Sequence, residues 1–253
     1  MSVTYLRSSL LVAVLVTAGA GFANANSTQN VPSIHDRVQA YMAQSQQDAK
    51  QPGAPKFSEQ DMATMQAAAE KLAKDMPEPG LKVGDKAPDF SLPNAFGKQV
   101  RLSDYLKKGP VILAFYRGAW CPFCNIQLHA LHESMPQFKQ YNANLIMVTL
   151  QTPDKSLDQI KKDKYTFQVL SDLDSSVIKK YKLYFELPAD LIAVYKKLGL
   201  DIEVFNGKGR NELPVPGTYI IDTSGVIRAA NADTDYKKRM EPQAIIDALK
   251  KIQ

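Results

Sequence analysis

The chain has 253 residues and a formal net charge of +5. That length suits one well-formed domain with an extension. The charge excess is mild and its lysines are scattered or paired, as at Lys161-Lys162 and Lys237-Lys238, so no basic stripe points to nucleic acid.

In chain order, residues 1–25 read as a secretory leader: a short positive start ending at Arg7, an apolar run from Leu10 to Ala20, and the small-residue site Ala23-Asn24-Ala25. The run is shorter than the roughly 20 residues a spanning helix needs, so cleavage before Asn26 and no stable membrane insertion are expected. No cysteine lies near that site, which excludes a bacterial lipoprotein. The mature chain is expected to be exported, most simply to the periplasm. Its charge falls from +5 to +4, because Arg7 is the only charged residue lost.

Residues 26–80 read as a helical extension. Ile34 to Lys50 predicts a helix, broken at Gln51-Pro52-Gly53-Ala54-Pro55. A second helix starts at Ser58, with Asp61 three residues on as a relative of the capping box. Met62, Met65, Ala69, Leu72 and Met76 recur at helical spacing and predict its docking face. Pro77-Glu78-Pro79-Gly80 ends the extension.

From Leu81 the pattern changes, and residues 81–253 read as one α/β domain. Phe90 to Pro93 and Gln99 to Leu102 predict short strands about a turn. Val111 to Phe115 and Asn144 to Leu150 predict buried strands, with a helix from Ile126 to Tyr141 between them. A helix over Ser156 to Asp163, a strand over Thr166 to Leu170 and a helix over Ser175 to Tyr181 follow. A hairpin of Thr218 to Ile221 and Val226 to Ala230 turns through Asp222-Thr223-Ser224-Gly225, and a closing helix runs from Glu241 to Ile252. Alternating strands and helices that end in a hairpin predict a mixed sheet with helices on both faces. An insertion over residues 184–214 interrupts this plan. It holds a predicted helix from Pro188 to Leu198 and a loop from Asn206 to Asn211. Leu187, Leu191, Ile192, Val194 and Tyr195 predict that it packs as a flap beside the active site and governs partner choice.

The chain's two cysteines, Cys121 and Cys124, sit in Ala119-Trp120-Cys121-Pro122-Phe123-Cys124-Asn125, between a strand and a helix. Amide N–H groups and the dipole at a helix start stabilise a thiolate, the nucleophilic form. Pro122 suits a first helical turn, where its missing N–H has no partner. A structural disulfide of so short a span would constrain little of the unfolded chain. A zinc site would need His129 and His132, which helical geometry does not converge on the thiols. The pair is therefore read as redox-active, closing a reversible disulfide with no cofactor and no bound metal.

Gly84-Asp85-Lys86-Ala87-Pro88-Asp89-Phe90, then Gly97-Lys98-Gln99-Val100-Arg101-Leu102-Ser103-Asp104, then Phe115-Tyr116-Arg117-Gly118-Ala119-Trp120-Cys121-Pro122-Phe123-Cys124 occur in that order. Together they resemble the peroxiredoxin-like branch of the alkyl hydroperoxide reductase/thiol-specific antioxidant (AhpC/TSA) superfamily, over about Leu81 to Ile252. The resemblance implies a thioredoxin fold and an antioxidant thiol peroxidase. It implies that hydroperoxides are the substrate and that a thioredoxin-like dithiol protein recycles the disulfide. Two departures stand out. Aligned on Phe115-Tyr116, the family's peroxide-attacking cysteine falls on Cys124, its threonine on Cys121 and its proline on Arg117. Thioredoxins instead attack with the first cysteine, here Cys121, which the motif leads one to expect as the more exposed thiol. The family's arginine before the strand at Tyr219 is replaced by Pro216, where thioredoxins carry a cis-proline. Arg117 is then a candidate for the missing guanidinium, against a plain surface arginine at a strand end. Trp120, Val215 and Pro216 are candidates for contact with a protein partner. The alternative function is thiol-disulfide oxidoreductase on protein disulfides.

Overall fold

The structure is a computed structural model that describes residues 31–52 and 57–252; the expected leader and its cleavage site lie outside them. Two helices come first, α1 (Ile34–Asp48) and α2 (Glu59–Asp75). A hairpin of β1 (Ser91–Pro93) and β2 (Gln99–Arg101) leads into the short α3 (Leu102–Leu106). The central run is β3 (Val111–Phe115), α4 (Pro122–Glu133), α5 (Met135–Lys139), β4 (Asn144–Thr149), α6 (Pro153–Asp163), β5 (Gln168–Ser171) and α7 (Ser176–Lys180). Then come β6 (Tyr184–Glu186), α8 (Ala189–Lys197), α9 (Glu203–Asn206) and β7 (Glu212–Pro214). The hairpin β8 (Gly217–Ile221) and β9 (Ile227–Ala232) and the helix α10 (Pro242–Lys250) complete it.

The five-stranded sheet has the order β5-β4-β3-β8-β9. β3, β4 and β5 run parallel, and β8 pairs antiparallel with both β3 and β9. Pleating sends alternate residues of β3 to opposite faces. Leu113 and Phe115 join Ile146, Val148, Ile178, Tyr181 and Tyr219 on one side. Ile112, Ala114 and Tyr116 meet Leu128 and Leu131 of α4 and Ile245 and Leu249 of α10 on the other. Every residue of β3 is buried, and each large apolar side chain so buried contributes about 1.5–3 kcal/mol. This two-faced core fixes where β3 ends and hence where the thiol turn begins.

The helix after β3 starts at Pro122 rather than Ile126 and breaks at Ser134, before Pro136. Both differences have one cause. Proline is favoured in a first helical turn and disfavoured beyond it, so Pro122 and Pro136 each open a helix.

In the extension, Ser58 and Asp61 form a reciprocal capping box at the start of α2. Its docking face is Met65, Ala68, Leu72 and Met76, while Met62 and Ala69 are exposed, because the helix is rotated so that Asp61 meets Lys197 of α8 at 2.5 Å. α1 packs Ile34 and Val38 on Ala130 of α4, and Arg37 binds Glu133 at 2.6 Å. Strands β6 and β7 pair Tyr184 with Pro214 and Glu186 with Glu212. The segment they enclose has its own small core of Leu187, Leu191, Ile202 and Leu213, against which Trp120 and Met65 pack.

Candidate active site

Past Phe115 the chain turns sharply. Tyr116 is fully buried, and Gly118 has φ of +147°. A Cβ on Gly118 would lie 2.5 Å from Trp120 Nε1, so only glycine fits. Cys121 is the N-cap of α4, Pro122 opens the helix, and the Cys121 carbonyl accepts from the N–H groups of Cys124 and Asn125, each at 3.1 Å. A buried amide network braces this turn. Ala119 N–H donates to Gln151 Oε1 at 3.0 Å and Asn125 Nδ2 to the Ala119 carbonyl at 2.8 Å. Gln159 Nε2 donates to Asn125 Oδ1 at 3.0 Å, and the Tyr116 hydroxyl to Gln159 Oε1 at 2.9 Å. Gln151 and Gln159 give no sign in the sequence beyond being polar residues beside buried elements.

Both thiols are free and buried, Cys121 at 1% and Cys124 at 0% exposure. Cys121 is thus the more exposed thiol only by that margin and does not face solvent as expected: Trp120, Phe123 and Met240 pack in the same cluster as the pair. Charge separates them instead. Burial pushes the Cys124 thiol up, but a hydrogen bond from the Cys121 thiol, the Arg239 guanidinium, the Arg117 backbone N–H and the Arg117 charge together bring it down to about 5. Arg239 Nη2 lies 3.5 Å from Cys124 Sγ. Burial and the neighbouring Cys124 hold Cys121 well above the usual thiol range, despite the two arginines. The donors around the pair thus favour negative charge on Cys124 over Cys121.

Arg239 was not singled out from the sequence, where Lys237-Lys238-Arg239 looks like one more solvated basic stretch. In the fold, its Nε donates to Gln127 Oε1 at 3.0 Å and its Nη1 to the Lys238 carbonyl at 2.9 Å. Gln127 Nε2 in turn donates to Thr218 Oγ1 of β8 at 3.2 Å. The guanidinium that reaches Cys124 Sγ is therefore Arg239, not Arg117.

Arg117 is no surface residue. It is 4% exposed and lies between the rings of Trp120 and Tyr236, at 4.8 and 4.6 Å. Its Nη2 donates to the Tyr195 hydroxyl of α8 at 3.0 Å, and its Nε has no partner among the described residues. The insertion thus touches the site directly, through Tyr195.

The Val215-Pro216 bond is trans, as is every peptide bond among the described residues, and the expected cis-proline is corrected. Val215 is buried with its N–H bonded to the Leu183 carbonyl at 2.7 Å, so the chain runs extended from β7 into β8, and a proline just before a strand needs no N–H partner. Pro216, Val215 and Arg117 line a groove of about 1010 Å³ walled by α2, β6, α8 and residues 233–238. His129 meets Tyr165 at a tilt and His132 meets it edge-on, both with centroids 5.5 Å apart, as part of a separate aromatic cluster.

Comparison with known proteins bears on this arrangement. The family model described as "AhpC/TSA family" matches residues 83–230. Peroxiredoxin Bcp of Escherichia coli is 33% identical over 106 residues, which are 42% of this chain and 67% of that protein. The thiol-disulfide oxidoreductase ResA of Geobacillus kaustophilus is 27% identical over 162 residues, 64% of this chain and 75% of that one. Among solved structures, peroxidoxin BcpB from Mycobacterium tuberculosis superposes with a TM-score of 0.55 at 21% identity, covering 68% of this chain and 99% of that one, and so shares the fold.

Proposed function

The chain belongs to the AhpC/TSA family as a peroxiredoxin-like oxidoreductase on a thioredoxin fold, and from that premise we propose a thiol peroxidase in which Cys124 attacks and Cys121 resolves. The carrying observation is the set of donors on one sulfur: the Arg239 guanidinium at 3.5 Å and the Arg117 backbone N–H both address Cys124. A thiolate so stabilised is populated at neutral pH and is the attacking form.

The Cys124 thiolate attacks the outer oxygen of a hydroperoxide. The O–O bond breaks, the leaving alkoxide takes a proton to become an alcohol, and Cys124 becomes a sulfenic acid. The arginines carry the negative charge as it moves from sulfur to the departing oxygen. Cys121 then attacks the sulfenic sulfur, water leaves, and a Cys121–Cys124 disulfide forms. An external dithiol protein such as a thioredoxin returns two electrons and two protons. Half-buried Trp120 is proposed as part of the surface this reductant meets, whereas Val215 and Pro216 are buried and form the wall of the groove beside it. The leader over residues 1–25 supports an exported, periplasmic setting, and a mature N-terminus at Asn26 is the matching result of terminal sequencing.

A second reading, direct exchange with protein disulfides, draws on the likeness to ResA and on the wide groove beside Arg117. One measurement separates the two. The reduced protein is assayed for hydroperoxide consumption beside insulin-disulfide reduction. Rapid peroxide loss is expected; insulin reduction without peroxide loss would replace the first reading with the second.

A further inference from the structure

The carboxylate of Glu241 does an unusual job. Its residue is the N-cap of α10, yet its side chain makes no bond to that helix. Instead Oε2 accepts from the Ile34 N–H and Oε1 from the His35 N–H of α1, both at 2.8 Å. Ser33 accepts from Asp36 N–H, so the first three amides of α1 are all satisfied, two of them by a residue more than two hundred positions away. A carboxylate at a helix N-terminus is also favoured by the dipole.

Glu241 lies two residues after Arg239, with the buried Met240 between them. The short segment 239–241 is therefore held at both ends, by Cys124 and Gln127 on one side and by α1 on the other. Between α1 and this segment is a cavity of about 340 Å³, lined by Val38, Met42, Lys238 and Arg239 among others, while Met240 anchors the segment in the core beside α4 and α10. A second line of contact runs from α1 to the other arginine. Tyr41 of α1 meets Phe123 edge-on at 5.3 Å, Phe123 meets Tyr236 at 5.4 Å, and Tyr236 covers Arg117 at 4.6 Å.

We propose that α1 is a working part of the active site: clamped by Glu241, it holds residues 239–241 so that the Arg239 guanidinium stays against Cys124. Glu241 is a positioning residue, acting through Arg239. The matched family region begins at residue 83, so this clamp comes from a segment outside it. The inference rests on Cys124 being the thiolate, and its test uses no peroxide.

The test is the pH dependence of iodoacetamide alkylation in the reduced protein. The charged and titratable groups facing Cys124 are Cys121, Arg117 and Tyr116 from the strand, turn and helix that carry the motif, and Arg239 from the clamped segment. Deleting the Glu241 charge alone would lower a thiol midpoint by simple electrostatics. Loss of positioning does the reverse. Glu241→Ala is expected to raise the midpoint by about one pH unit, a roughly tenfold loss of thiolate below it. In an Arg239→Gln background the same change should add no further rise. An unchanged or lowered midpoint in Glu241→Ala, or an equal further rise without Arg239, would overturn the proposal. Should Glu241→Ala not fold, Glu241→Asp keeps the charge but shortens the reach to α1, so a raised midpoint there reports lost positioning alone and an unchanged one overturns the proposal. A missing peroxidase activity with the predicted shifts intact would sink the reaction assignment and leave the clamp standing.

Discussion

The turn 116–124 and the segment 233–241 serve the same pair of sulfur atoms in different ways. The turn is local and rigid: a buried strand, a glycine that admits no side chain, an N-cap and a web of amides place Cys121 and Cys124 in one helical turn. The distant segment is polar and anchored at only a few points, and it brings Tyr236 onto Arg117 and Arg239 onto Cys124. The first region sets where the sulfurs are and, through the Cys121 hydrogen bond and the Arg117 backbone N–H, begins to favour charge on Cys124; the second adds the Arg239 guanidinium to that same sulfur.

The comparison breaks most visibly at the cysteines. Cys124→Ser should abolish peroxide consumption. Cys121→Ser should keep a single oxidation, seen as a sulfenic acid trapped on Cys124 by a dimedone-type reagent. Labelling confined to Cys121 in the opposite mutant would reverse the roles of the two thiols.

Arg239→Gln comes next. Losing a charged donor to an anion costs about 1.5–3 kcal/mol, so the peroxide rate constant should fall roughly ten- to a hundredfold, and the alkylation midpoint should rise. Arg117→Gln should shift that midpoint less, because the Arg117 backbone N–H remains on Cys124. Equal shifts would show that both guanidinium groups act alike and erase the distinction between the two regions.

The charge on Cys124 also enters stability. Its thiol is lowered in the fold, to about 5, so between that pH and the usual thiol value the unfolded chain binds more protons than the native one. Stability of the reduced protein should therefore rise with pH across that window, by at most about 1.4 kcal/mol per unit, and be lost as pH falls through 5. Thermal melts of reduced wild type and Cys124→Ser give the slope; identical slopes would remove the thiolate from the folded state.

The smallest effect belongs to the extension's far helix. Ser58→Ala removes the α2 cap and should cost about 1 kcal/mol, with the alkylation profile unchanged. A shifted profile would tie α2 to the thiols as well.

The sheet was legible because its strands are apolar runs such as Val111 to Phe115, and the α2 start because Ser58 and Asp61 sit at capping spacing. The thiol motif stood out for its position between a strand and a helix. What escaped was polar and long-range. Gln151, Gln159 and Arg239 are buried or half-buried through partners far away in sequence, and nothing in their neighbours distinguishes them from solvated residues. The strands β6 and β7 escaped for a like reason: each has three residues, too few to show a period. Pro216 misled through analogy, since a proline before a strand can be trans whenever the chain runs straight into it.

The spacing of the sulfurs within α4 has a mechanical consequence. With Cys121 at the cap and Cys124 in the first turn, the two can bond and part by side-chain rotation alone, with no helix to unwind between half-reactions. The proposed cycle therefore runs on a stationary backbone. Amide exchange in the opening turn of α4 should be as slow in the oxidised protein as in the reduced one, and the speed of turnover should be set by how the side chains packed over the buried sulfurs part to admit a partner rather than by unwinding of the helix.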